Sequence, residues 1–291
     1  MKKKVLLYAL CACIFTGCKD SKETLEPDDR QVDILFSAKA TTSSFLKSTV
    51  TPAENLISKV ILFGVDVQNN VIENYAVINN PPLTGIQLTI SKDVKSLYAI
   101  ANPSTDMEAT KPSSVSDLMN LVGDFTNAPQ SPFLMGGNGN VIGDKVNIEL
   151  IRAVAKIEII GKNGFQIATV TVKNTTGKGY VFRKETFSVP ASASMVNYPA
   201  INTTNPILYV AENSRQNPTQ FVVTGQLQGK QASYTIVLTN EGQNVDIVRN
   251  THYQVDITPI TESECIVTIT IPAWSDATTD DHVIPDENFA P

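Results

Sequence analysis

Histidine is almost missing from this chain of 291 residues, which carries only His252 and His282. That scarcity excludes metal sites built from several imidazoles and argues against a serine–histidine triad. Tryptophan occurs once, at Trp274, and aromatics make up 7% of the chain, so the exposed rings that usually form sugar platforms are in short supply. Basic residues are outnumbered, 23 against 29 acidic, for a formal charge of −6. A sequence-independent grip on phosphates is thereby disfavoured, and no nucleic-acid partner is expected. What is present is an ordinary globular balance, 42% hydrophobic and 18% charged, too apolar for a disordered chain. The length fits two domains of ~100–200 residues each. This composition leads us to expect no enzyme, no cofactor and no metal.

The N-terminus reads as an address. Lys2-Lys3-Lys4 precedes the apolar run Val5–Phe15, which suits a signal peptide and is far short of the ~20 residues of a spanning helix. Phe15-Thr16-Gly17-Cys18 then looks like a bacterial lipobox, with Phe15 in place of the usual Leu. We therefore expect a lipoprotein signal over residues 1–17, a cut between Gly17 and Cys18, and acylation of the Cys18 thiol. Each buried methylene of such a lipid adds about 0.8 kcal/mol of affinity for the outer membrane. Residues 18–30 lack apolar periodicity and read as a polar tether. Cys11 and Cys13 leave with the signal, so Cys265 has no disulfide partner. Sharing a face with Val267, Ile269 and Ile271, it reads as a small core residue.

Beyond the tether, period-two segments dominate. Gln31–Ala40 places Val32, Ile34, Phe36 and Ala38 on one face, and Leu56–Val67 is apolar on both faces like a central strand. Ile86–Ile90 and Leu97–Ala101 follow. One short helix is expected at Val115–Val122, opened by the capping box Ser114–Asp117 and stopped by Gly123. Val146–Ile160 reads as one long alternating segment, broken by Gly161–Gly164, where we place the domain boundary. Further strands are read at Ile167–Lys173, Ile207–Ala211, Phe221–Leu227, Ser233–Leu238, Tyr253–Ile257 and Cys265–Ile271. The pattern is all-β with one or two short helices: a sandwich at 31–160, a second at 161–274, and an acidic tail at 275–291. No internal sequence repeat is evident.

Chemical motifs are weak. Gly136-Gly137-Asn138-Gly139 superficially resembles a phosphate cradle, but no helix follows, so a hairpin turn is expected there. His252 falls beside Gln254 and Asp256 on the polar side of a strand and reads as solvent-facing. His282 lies in the tail. The pairs Asp28-Asp29 and Asp280-Asp281 fall in expected linkers, and Trp274 reads as a core or domain-edge plug.

Several stretches, taken in order, resemble the fimbrillin family of Bacteroidetes lipoproteins, the subunits of type V pili. They are Thr51-Pro52-Ala53-Glu54, Leu97–Pro103 with its closing Asn-Pro, Phe133–Gly137 and Arg152–Ile157. Tyr209–Asn213, Arg249–Tyr253 and Trp274 complete the series. The resemblance implies two tandem transthyretin-like β-sandwiches on a cell-surface lipoprotein. It also implies proteolytic loss of the first strand, here Val32, Ile34, Phe36 and Ala38, and its replacement by a strand from another subunit, with the donor near the C-terminus. Partners would be other fimbrillin subunits, outer-membrane lipid through Cys18, and a host or bacterial receptor for adhesion. The family's protease is typically arginine-specific, whereas Thr41–Thr51 holds no arginine and only Lys47 as a basic residue. Cleavage at Lys47, an uncleaved anchor or accessory subunit, and a monomeric surface lipoprotein binding glycan or another ligand all remain open on the sequence.

Overall fold

Period-two alternation becomes strand along most of the chain, in a computed structural model that describes residues 29–38, 51–75, 77–82 and 85–274. The expected signal, Gly17, Cys18, the tether to residue 28, Lys47 and the tail 275–291 lie outside the described residues. In chain order the first half holds β1 (Asp29–Ala38), β2 (Lys59–Val65), β3 (Val71–Asn74), β4 (Ile78–Asn79), β5 (Ile86–Ser91) and β6 (Ser96–Ala101). Helices α1 (Thr105–Glu108) and α2 (Val115–Met119) come next, then β7 (Val122–Asp124), β8 (Met135–Ile142) and β9 (Lys145–Arg152). The second half has β10 (Val154–Gly161), β11 (Phe165–Thr176), β12 (Lys178–Tyr180), β13 (Met195–Asn202), β14 (Ile207–Ala211) and β15 (Gln220–Leu227). It ends with β16 (Lys230–Val237), β17 (Thr239–Asn240), β18 (Gln243–Asn244), β19 (His252–Pro259) and β20 (Cys265–Thr270).

The first sheet runs β3-β2-β6-β8-β9-β1-β5, with β4 beside β2. It closes on itself, because inward residues from both ends share one core: Val32 and Ile34 of β1, Val60 and Leu62 of β2, Leu97 of β6, and Ile148 and Leu150 of β9. Closure depends on glycine in β8. A Cβ at Gly137 would sit 2.0 Å from the Glu149 carbonyl oxygen, and one at Gly139 would sit 2.2 Å from that of Asn147. The glycine-rich segment expected as a turn is therefore mostly strand. Only Gly143, at φ +64°, serves the turn itself.

In the second half, sheets β14-β10-β19-β20 and β13-β11-β15-β16 face each other across a core that includes Ile157, Val170, Phe221, Tyr234 and Val255. Cys265 is half-buried against this core, with a free thiol. The all-β sandwich architecture expected from the sequence is present. β2 is buried on both faces as expected, since Ile61 and Phe63 of its outer face pack under Met107, Leu118, Val181 and Phe182.

Two local expectations are corrected. Ser114 accepts from Asp117 N as the capping box requires, but the helix stops at Met119, and Gly123 is the centre of β7. There it faces Gly179 across the β7–β12 pair, which joins the two halves, and a Cβ would meet Leu134 at 2.4 Å. Second, Val146–Ile160 is two strands. Pairing passes from the first sheet to the second at Ala153, between β9 and β10. The strand pairings do repeat, although the residues do not: β1 lies between antiparallel β5 and parallel β9, and β10 between antiparallel β14 and parallel β19.

Candidate functional site

The residues proposed as a displaceable strand occupy an unusual place. Residues 29–34 of β1 pair with β5 and residues 33–38 with β9, so β1 straddles its neighbours in a staggered fashion. Among the described residues β5 has no other strand partner. Val32 and Ile34 are buried, Phe36 is half-buried against the same core, and Ala38 stands opposite Leu150. Leu35, the outward exception, is exposed. Two further bonds pin the strand: Arg30 Nη2 donates to Val94 O at 2.6 Å, and Asp33 N donates to Asp144 O at 2.7 Å. Burial of Val32 and Ile34 contributes about 1.5–3 kcal/mol each.

The other family-like motifs converge on the junction between the halves. Thr51-Pro52-Ala53-Glu54 forms a 3-10 turn, Pro52–Asn55, that presents Glu54 inward. Its Oε1 accepts from the Tyr209 hydroxyl and lies 3.0 Å from Lys156 Nζ. Its Oε2 accepts from Thr51 N at 2.9 Å and from Trp274 Nε1 at 3.2 Å. Burial raises the pKa of Glu54, yet the hydrogen bonds from Tyr209, Lys156 and Thr51 outweigh it and hold the carboxyl below its ordinary value. Burial, with the Glu54 charge beside it, pushes the Tyr209 hydroxyl up.

Arg152 ends β9 and is equally buried. Its Nε donates to Glu54 O at 3.1 Å, Nη1 to Asn250 Oδ1 at 2.8 Å, and Nη2 to Asn55. The guanidinium sits 4.5 Å from the centre of the Trp274 ring. That ring, 1% exposed, stacks on Tyr209 and meets Phe133 edge-on. Nearby, Arg249 pairs with Glu212 at 2.6 Å and donates to the carbonyls of Tyr180 and Val181. Asn102 closes the region by donating to Leu56 O and Phe133 O, both at 2.8 Å.

His252 departs from expectation. It is 1% exposed, because Lys156 and Tyr209 on the paired strands and the junction above them cover this end of the sheet. Burial, reinforced by the Lys156 charge, lowers its pKa to about 4 and keeps it neutral. Nε2 lies 3.0 Å from Glu158 Oε2, but off the hydrogen-bonding direction, and neither ring nitrogen has an aligned partner among the described residues.

Chemically, the junction is an ion-pair and aromatic cluster whose charged groups are bonded to one another. A cavity of about 370 Å³ lies beside it, lined by Asn102, Met107, Phe125, Phe133, Leu134 and Val154 among others. Among the described residues no group of three or more His, Cys, Asp or Glu gathers as metal ligands. The sequence marked the members of the junction cluster singly. Its assembly was missed, since no local pattern links Glu54 to Trp274.

No family model and no curated protein matches this sequence significantly. Solved structures do match. A candidate cell adhesion protein of Parabacteroides distasonis aligns with a TM-score of 0.65 at 16% identity, over 86% of this chain and 98% of that one. The tip fimbrial protein Mfa3 of Porphyromonas gingivalis, with a C-terminal truncation, aligns with a TM-score of 0.57 at 15% identity, over 84% and 100%. A candidate cell adhesion protein of Bacteroides uniformis gives 0.52 at 11% identity, over 85% and 98%. The fold expected from the fimbrillin resemblance is thus the fold observed.

Proposed function

We propose that this chain is a structural, non-enzymatic subunit of a cell-surface fimbria that serves adhesion. In this reading it is exported as a lipoprotein acylated at Cys18 and assembles by donor-strand exchange at the place of β1. The observation that carries it is that, among the described residues, β5 is attached to its sheet through β1 alone. Loss of β1 strips β5 of its strand partner and uncovers the apolar floor formed by Ile148 and Leu150. A strand from another subunit restores both ladders and the buried apolar surface, the physics of strand addition to an open edge. To reproduce the pairings it must run as β1 does, parallel to β9 and antiparallel to β5. The shared fold with a tip fimbrial protein supports the same reading. Burial of Trp274 speaks against a sugar platform on this ring.

N-terminal mass spectrometry of protein stripped from the cell surface, alongside the membrane-retained fraction, tests the proposal. A chain beginning at Ser48 in high-molecular-weight ladders is expected, with Lys47 as the processing site. A chain beginning at acylated Cys18 and remaining monomeric overturns the polymerising reading.

A further inference from the structure

Trp274 is the last described residue of the chain, yet it is wholly buried among side chains from much earlier in the sequence. Glu54 accepts its indole N–H, and Arg152 covers its ring. Arg152 is also the terminal residue of β9, the strand along which β1 lies in parallel as far as Leu150. Val32, Ile34, Ile148 and Leu150 share one buried cluster, so β1 covers one side of β9 while β8 pairs with the other. At its far end β9 is fixed by the pairing of Arg152 with Met135 and by the bonds of Arg152 to Glu54, Asn55 and Asn250.

We propose that Trp274 is a latch on the first strand. Seating of its ring and seating of β1 are coupled through β9 and Arg152, so that each holds the other in place. Such coupling is reciprocal by thermodynamic necessity, and a packed strand ending in a clamped guanidinium is a physical route for it. The segment that leads into residues 275–291 is thereby tied to the strand that opens the fold. This concerns β1 while it is still part of its own chain, before any strand exchange.

Hydrogen exchange on the uncleaved chain, which still carries β1, tests one direction. Trp274→Ala should speed exchange of the paired amides of β1 by about fivefold or more, while those of β16, in the remote sheet, change by less than about twofold. Trp274→Phe keeps most of the packing and removes only the N–H bond to Glu54, so it should give a smaller shift of the same sense with little risk to the fold. The other direction uses the chain's single tryptophan: Ile34→Ala should raise acrylamide quenching of its fluorescence while far-UV circular dichroism is unchanged. Unaltered β1 exchange in both Trp274 variants, a parallel rise in β1 and β16, or wild-type quenching in Ile34→Ala each overturns the latch. None of these outcomes bears on where the mature chain begins, so the fimbrial reading is tested separately.

Discussion

His252 and Glu54 lie on the same buried junction and make the fold acid-sensitive in two successive ranges. The imidazole pKa is about 4 in the folded chain against 6.5 unfolded. Below pH 6.5 the unfolded chain takes up a proton that the folded chain refuses, so stability falls as pH drops toward 4. Glu54 acts lower down. Its depressed pKa gives stability that is present above the unfolded value of 4.5 and is lost as pH falls through the folded value. Urea titrations at pH 6.5 and 4.5 should show the wild type losing about 2 kcal/mol more than His252→Asn. Equal losses would mean that the folded ring is already charged. At this scale the sequence showed which residues were unusual but not that they meet. Arg152 and Asn250 are 98 positions apart, and Glu54 and Trp274 are 220 apart. No periodicity reports contacts over such distances, and His252 was misread because strand alternation does not reveal what covers a face.

Among the elements, β8 shows most directly how packing overrides local signal. Gly136-Gly137-Asn138-Gly139 carries turn chemistry, yet it forms strand because the β9 backbone comes too close for any side chain. Gly137→Ala should therefore lower the thermal midpoint by the equivalent of about 1–3 kcal/mol, the range of an overpacked core. Gly143→Ala, with open space around its Cβ, should cost only about 1 kcal/mol for its positive φ. Similar shifts for the two would show that β8 has room to relax. Strands with clean alternation, such as β14 and β20, were legible nearly to the residue. The join at Ala153 was not, since Val146–Ile160 keeps its alternation across it while the chain changes sheets.

For the whole molecule, two sandwiches that repeat one pairing scheme are tied by the β7–β12 pair and by charged groups from both halves buried together. Neither half can open without exposing part of that cluster. Calorimetry should show a single endotherm whose van't Hoff and calorimetric enthalpies agree; two resolved transitions would mean that the halves are independent. The all-β class and the order of most strands were visible in the sequence. The repeat was not, because it lies in the pairing scheme, which different residues satisfy equally well.

The parallel pairing of β1 with β9 also decides how this molecule bears a load. The chain enters the first sandwich at β1 and leaves it at β9, so pulling from its two ends drags these strands past one another along their length. The ladder from Asp33–Lys145 to Ala38–Leu150 is then stressed in shear, all its bonds together, instead of being unzipped one after another. In the second sandwich β10 and β19 are also parallel, but the chain leaves it through β20, antiparallel to β19. A ladder loaded in this way resists tension along its strands and gives way when one of them is peeled from its end.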